Sequence, residues 1–494
     1  MTGSNPVFGI ERHGFDHIPE AERTMTLRET AYFWVAMNAN LFFVAVGVIA
    51  LDAGLSVWQA LVAVVLGTML FATVALASIG GARAGLPTMT FTRSVFGPRG
   101  NLPHAVLAWV ASVAFEAINC IFGVFALLAL ASYLGWDDPG DAGKVVATLV
   151  VLGASGVIAI YGHATMIYLQ RGFAVALMVV LVVVLVYTLG GVDWSAKGPG
   201  ELTAWETLAA VLAAGAVVAS GPISYLFNAP DWVRYLPSGT PARSIFWTVF
   251  LSSGAIALFL STMGVLLASR GDMGDPVGGV RPFVPGWLFV LYILSAVGGS
   301  IANNVGSFYS SGLCLQSLGL PLRRYQATTL DTAVSTAIVL YILLVQDFTN
   351  VLEHFVALLV VWLAPFAAVW LTDGVMRRWR YRADEIHDLT PRGRYWGWNG
   401  VNPAGWIAVA AGVAVCLLTI HAPTFSGPVS DALAGADLTW MLGPLTSAAV
   451  YWALARGDGR ERDLGDDRRA EPGRAREREP AVERLDAIGE AAEP

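Results

Sequence analysis

Twelve apolar runs, most of them close to 20 residues long, follow one another along this chain. A helix of that length crosses the roughly 30 Å hydrocarbon core of a bilayer. The runs fall at about 30–51, 57–80, 105–133, 145–162, 171–190, 207–236, 244–268, 285–317, 329–346, 352–373, 403–420 and 436–455, and are numbered here as spans 1–12. Only 14% of the 494 residues are charged, against about 25% in a soluble domain. The expected fold is an all-α polytopic membrane protein. Its domain is the helix bundle itself.

Charge placement gives the orientation. With the N-terminus inside, the inner segments before the tail hold seventeen Lys or Arg, and the outer loops hold Lys144, Lys197, Arg270 and Arg281. The positive-inside rule therefore predicts cytoplasmic N- and C-termini in the cell membrane. Residues 1–29 are polar and lack a short apolar core with a cleavage site, so span 1 is expected to act as the targeting signal. From Arg456 the chain mixes nine Arg with twelve acids, and 456–494 reads as a disordered cytoplasmic tail. Cys120, Cys314 and Cys416 lie in apolar runs, too scattered for a disulfide framework or a zinc site. Trp136, Trp194, Trp379 and Trp398 near span ends read as interfacial anchors.

In lipid, irregular backbone is tolerated only inside the protein or around a watery cavity. Helix breakers and polar residues cluster in four spans. Span 1 carries Asn38 and Asn40 in "FWVAMNANLFF", and Asn competes with helical hydrogen bonding. Span 6 carries Gly221 and Pro222, then Ser224 and Tyr225. The spacing predicts two half-helices meeting at Gly221–Pro222. A proline alone can be a plain kink, but interruptions in spans 1 and 6, five spans apart, point to a transporter binding site between inverted repeats. Span 3 carries "VAFEAINC", with Phe115 and Asn119 on one helix face and Glu116 beside it. Glu116 reads as the one deep carboxylate, and an ionisable residue at that depth marks function. Span 8, five spans after span 3, places Asn303 and Ser307 on one face. Asn304, four before Phe308, looks more like packing. At the cytoplasmic end of span 6, Asp231 and Arg234 are spaced to pair, as an inner gate or a plain helix-end ion pair.

These segments, with the lead-in "GIERHGFDHIPEAERT", "APDWVRYLP" and "ANN…YSSGLCLQSLGL", together resemble the purine-cytosine permease branch of the nucleobase:cation symporter-1 family over residues 9–455. The resemblance implies a LeuT-like fold: a 5+5 inverted repeat (30–190 and 207–373) plus two C-terminal helices (403–455). It implies import of a planar nitrogen heterocycle, a nucleobase such as cytosine or a purine, by alternating access. It places Phe115 where relatives stack a tryptophan on the base, and Asn119 and Asn303 at positions that bond the ring edge. Ser307 stands where relatives often have a second Asn. Pro222 or Tyr225 stands near an aromatic position of span 6. Asn38, Gly221 and Ser224 complete the expected substrate site. Coupling is to H+ or Na+ through Glu116 and Asn40; H+ is favoured, because Ile301 and Ala302 occupy the positions of sodium-binding hydroxyls. The alternative is a transporter of the same fold for another small solute: an allantoin- or hydantoin-type heterocycle, a vitamin or an amino acid.

An enzyme is not expected. The chain has no phosphate loop or nucleophile elbow, its seven His are scattered, and Glu353–His354 is the one acid–His neighbour pair inside a span. No cofactor, metal or nucleic-acid partner is expected; the partners are the heterocycle and the bilayer. The sequence sets no oligomeric state.

Overall fold

The computed structural model describes residues 7–11, 13–136, 139–345, 348–422 and 425–456, with backbone alone at 348–358 and 384. The tail beyond 456, Arg12 and the Glu353–His354 side chains lie outside the described residues.

Each of the twelve runs is helical. Span 1 is two half-helices, 1a (Leu27–Asn38) and 1b (Leu41–Asp52), bent by 54°. Span 2 runs over Val57–Ala84, span 3 over Leu102–Tyr133, span 4 over Gly140–Tyr161 and span 5 over His163–Leu189. Span 6 is 6a (Ala204–Tyr225) followed by the short 6b (Ala229–Val233). Span 7 covers Ala242–Ala268, span 8 Gly286–Ser317 and span 9 Arg324–Val345. Spans 10, 11 and 12 cover Phe348–Met376, Pro403–Thr419 and Thr439–Ala455.

Local chemistry sets the helix starts. Spans 1 and 6 open on the same device, a capping box: Thr26 with Glu29, and Thr203 with Glu206. Each box satisfies two otherwise free backbone donors and contributes about 1 kcal/mol. The break in span 1 is built by Asn40. Its Oδ1 accepts from Phe42 N at 3.0 Å and so caps 1b, while its Nδ2 donates to Met37 O at 2.9 Å.

The break in span 6 differs from the expectation. Helix 6a runs straight through Gly221–Pro222 and ends at Tyr225. Pro222 withdraws one backbone donor, yet the helix continues, and Ser224 Oγ bonds back to Gly221 O at 2.6 Å. The interruption falls at Leu226–Asn228 because Pro230 opens the next helix. A proline fits the first turn of a helix but not the continuation of one.

Spans 1, 2, 6 and 7 pack mainly on one another, as do spans 3, 4, 8 and 9; spans 3 and 8 lie together along their length. Where span 8 crosses the break of span 1, Gly299 faces Ala39 O so closely that no side chain would fit. On span 5, Val175, Val179, Val182 and Val186 form an exposed stripe at helical spacing. Such a stripe is the lipid-facing surface of a membrane helix. Trp136, Trp194 and Trp398 are exposed, but Trp379 is not an interfacial anchor. Its ring is only 8% exposed, close to Gly80 and Gly374 and beside Trp370.

Candidate functional site

A narrow cavity with about 370 Å³ of empty space lies among spans 1, 3, 6 and 8. Asn40, Phe42 and Phe43 line it from span 1; Ser112, Phe115 and Asn119 from span 3; Gly221, Ser224, Tyr225, Phe227 and Asn228 from span 6; Asn303 and Ser307 from span 8. None of these side chains is charged. Asn38 and Pro222 do not line the cavity. Asn38 Nδ2 is turned back to Trp34 O at 2.7 Å.

The polar groups are arranged unevenly. Asn119 donates its NH2 to Phe115 O at 2.8 Å, one turn earlier, which leaves its buried Oδ1 without a partner. Asn228 Oδ1 and Ser112 Oγ are buried and unpartnered as well. Asn303 commits its NH2 to Met37 O at 2.8 Å and to the Tyr225 hydroxyl at 3.0 Å, so only its Oδ1 can take a new bond. The cavity therefore offers free amide acceptors, Asn119 Oδ1 and Asn228 Oδ1. An unsatisfied buried polar group costs about 1–3 kcal/mol, and a ligand with N–H donors along its edge relieves that cost. The walls are aromatic: Phe115 meets Phe42 edge-on at 6.0 Å, and Tyr225 lies 6.1 Å from Phe71.

Toward the N-terminal segment the cavity is closed by indoles. Tyr225 packs on Trp34 at 5.5 Å and on Trp232 at 5.6 Å, and both tryptophans are fully buried. Beyond them is a second space of about 1650 Å³, lined in part by Thr26, Arg28, Tyr32, His163, Arg171 and Tyr235.

Asp231 and Arg234 sit on this closed side but are bonded to other partners. Asp231 Oδ1 accepts from Thr88 N at 2.6 Å and Thr88 Oγ1 at 2.7 Å. Arg234 pairs with Glu11 at 3.3 Å and donates to Tyr309 OH at 2.8 Å and to Gly14 O at 2.7 Å. Helical spacing permitted an Asp231–Arg234 pair; the folded N-terminal segment supplies a better-placed acid. Glu11 also takes a hydrogen bond from Tyr235 OH at 2.6 Å, one from His163 N at 2.8 Å, and an ion pair with Arg324 at 3.5 Å. Burial pushes its carboxyl up, but Arg324 and Arg234, helped by His163 and the Tyr235 hydroxyl, outweigh burial and hold it at about 2. One acid thus ties span 6 to spans 5, 8 and 9.

Glu116 points away from the cavity. Its Oε2 accepts from Ser335 Oγ of span 9 at 2.6 Å, and Asn304 Nδ2 donates to its backbone O at 3.2 Å. It is not the one deep carboxylate: Asp331 of span 9 is also fully buried, bonded by Trp109 Nε1 at 2.7 Å and by Ser311 Oγ. Asp331 escaped the sequence reading because it stands near the start of its span. Glu11 was visible in the lead-in motif, but nothing local marks it as buried. Gln170 of span 5 was missed too; its Nε2 donates to Ala302 O at 2.7 Å.

Comparison with known proteins agrees with this architecture. A purine-cytosine permease of Emericella nidulans is 26% identical, covering 90% of this chain and 88% of that protein. A hydantoin permease of Microbacterium maritypicum is 25% identical, covering 81% and 82%. In shape the chain is similar to Mhp1, a nucleobase-cation-symport-1 family transporter, in a closed conformation with bromovinylhydantoin bound: TM-score 0.73 at 18% identity, covering 90% of this chain and 95% of that one. The fold is thus the LeuT-like one, two inverted five-helix repeats plus two helices. The family described as permeases for cytosine/purines, uracil, thiamine and allantoin matches residues 17–443, and the chain therefore belongs to this family of membrane transporters.

Proposed function

We propose that this transporter imports a nucleobase, cytosine or a purine, across the cytoplasmic membrane by alternating access, with H+ as the coupling ion and both termini in the cytoplasm. The observation that carries the substrate class is the pair of unpartnered amide oxygens, Asn119 Oδ1 and Asn228 Oδ1, in an uncharged site beside the Phe115 and Tyr225 rings. A flat ring stacks on the aromatics, worth about 1–3 kcal/mol per base. Its N–H edge meets the acceptors. An amino acid has charges at both ends, and no lining side chain answers either one.

Two observations support H+ over Na+. Ala302 presents no hydroxyl, and its carbonyl already accepts the Gln170 amide. Glu116 is a buried acid on the helix that carries Phe115 and Asn119. In this reading spans 1, 2, 6 and 7 move against spans 3, 4, 8 and 9, and the Glu11 cluster with Asp231 and Arg234 holds the cytoplasmic side shut.

The test is competition uptake in cells expressing the protein, with cytosine, adenine, hypoxanthine, uracil, allantoin, hydantoin and amino acids. Cytosine or a purine is expected to compete best and to be lost with a protonophore but not with Na+ removal. Hydantoin competing alone selects the cyclic-ureide reading, which the hydantoin permease relative favours. Competition by amino acids alone refutes both.

A further inference from the structure

We propose that Glu116 and Asp331 hold a single proton between them and form the proton-binding site of this transporter. The inference deepens the proton-coupled reading above and rests on it for its role in transport.

The site is assembled from three helices. Span 3 supplies Glu116 and, two turns earlier, Trp109. Span 9 supplies Asp331 and, one turn later, Ser335. Span 8 supplies Ser311. Both carboxylates are fully buried. Ser335 Oγ donates to Glu116 Oε2 at 2.6 Å, Trp109 Nε1 donates to Asp331 Oδ1 at 2.7 Å, and Ser311 Oγ donates to Asp331 Oδ2. Glu116 Oε1 receives no donor, and the Ser311 hydroxyl and the Asp331 carboxylate are neighbours of the Glu116 carboxyl. A carboxylate oxygen stranded beside a second carboxylate is completed by one proton. Glu116 then donates O–H to Asp331, and the three remaining donors serve a pair of net charge −1.

Among the described residues the surroundings supply no other remedy. Cys120 of span 3 and Cys314 of span 8 are buried free cysteines. Asp231 is the other acid near Cys314 and is bonded to Thr88. Span 4 contributes Ala147, Val151, Leu152 and Ala159, and its Ser155 hydroxyl bonds its own helix. Arg324, two turns before Asp331, pairs with Glu11. Two ionised carboxylates without a cation are mutually repulsive and poorly solvated, so one proton is retained. A metal ion fits less well. An indole N–H has no lone pair to offer it, and the bonding hydroxyls point hydrogens at the carboxylates.

The pair is wired to the substrate cavity by covalent adjacency. Glu116 follows Phe115 and precedes Asn119 by three residues, and Asn304, bonded to Glu116 O, adjoins Asn303. Release of the proton to water leaves two charges wedged among spans 3, 8 and 9. The resulting strain falls on the two helices that present Asn119 and Asn303.

The test needs no knowledge of the substrate. Infrared difference spectra of the purified full-length protein, in H2O and D2O, report a protonated carboxylic acid by its C=O stretch. One buried acid band is expected at neutral pH, lost on alkalisation, insensitive to Na+, and absent from both Glu116→Gln and Asp331→Asn. A wild-type spectrum without such a band would overturn the proposal. So would a band that survives in both variants, or one that Na+ abolishes. In proteoliposomes, cytosine accumulation driven by an acid-outside gradient is expected to be lost in each variant, and wild-type accumulation in either one refutes the assignment. If the wild type carries no cytosine, the substrate reading fails, and the infrared result still decides the proton site.

Discussion

Two buried acidic clusters stand in the scaffold of this transporter, and they are opposites. Around Glu11, one carboxylate meets two arginines, two tyrosine hydroxyls and a backbone amide. Around Glu116, two carboxylates meet two serines and an indole, with no cation bonded to either among the described residues. The first arrangement fixes the acid as a permanent anion and joins span 6 to the scaffold. In the proposed reading the second keeps an acid that gains or loses a proton. On that reading the same side-chain chemistry becomes a latch or a carrier according to whether cations accompany it.

The largest effect should come from Glu11→Ala. It strands Arg234 and Arg324 as buried charges, which costs roughly 3–5 kcal/mol. A marked fall in Tm is expected in detergent. An unchanged Tm would show that the N-terminal segment is not a latch. Next in size is the acid dependence of this cluster. The Glu11 pKa is depressed, so its contribution is complete above the ordinary value of 4.5 and is lost as the pH falls through about 2. That contribution is about 3 kcal/mol. Tm should therefore not vary with pH on account of Glu11 near neutrality, and Glu11→Ala should remove the acid-side slope; a slope equal to wild type breaks the argument. Tyr235→Phe keeps the ring stacked 4.2 Å from His163 but deletes the hydroxyl donated to Glu11. A loss of about 1.5–3 kcal/mol is expected for a bond to a charged group. The smallest effect is expected from Glu116→Gln, within about 1 kcal/mol of wild type, because the neutral amide has nearly the shape of the protonated carboxyl and still offers a donor to Asp331. If Glu116→Gln destabilises as much as Glu11→Ala, the two clusters are not opposites.

Much of the architecture was legible because lipid imposes a strict length and polarity code. The twelve runs, the break at Asn38–Asn40 and the shared polar faces of spans 3 and 8 all stand in the linear order. Phe115, Asn119, Asn303, Ser307, Ser224, Tyr225, Gly221 and Asn40 do meet at one cavity. Other features were not legible for definable reasons. Pro222 advertised a break that Pro230 makes, because a proline's effect depends on whether a helix starts at it. Asp231 and Arg234 had the spacing of a pair, but spacing cannot reveal that Thr88 and Glu11 compete for them from distant segments. Trp379 sits where anchors sit, yet Gly80 and Gly374 leave room for its ring inside.

The sequence alone determined that the chain crosses a membrane repeatedly and which spans are interrupted. Those properties follow from local composition and period, since bilayer thickness and backbone hydrogen bonding act on each segment separately. Only the tertiary structure decided which acceptors are left unpaired in the cavity, which acid meets arginine, and which acid meets another acid. Pairing depends on groups from helices far apart in sequence. A buried charge is defined by its neighbours, and neighbours exist only once the bundle has closed.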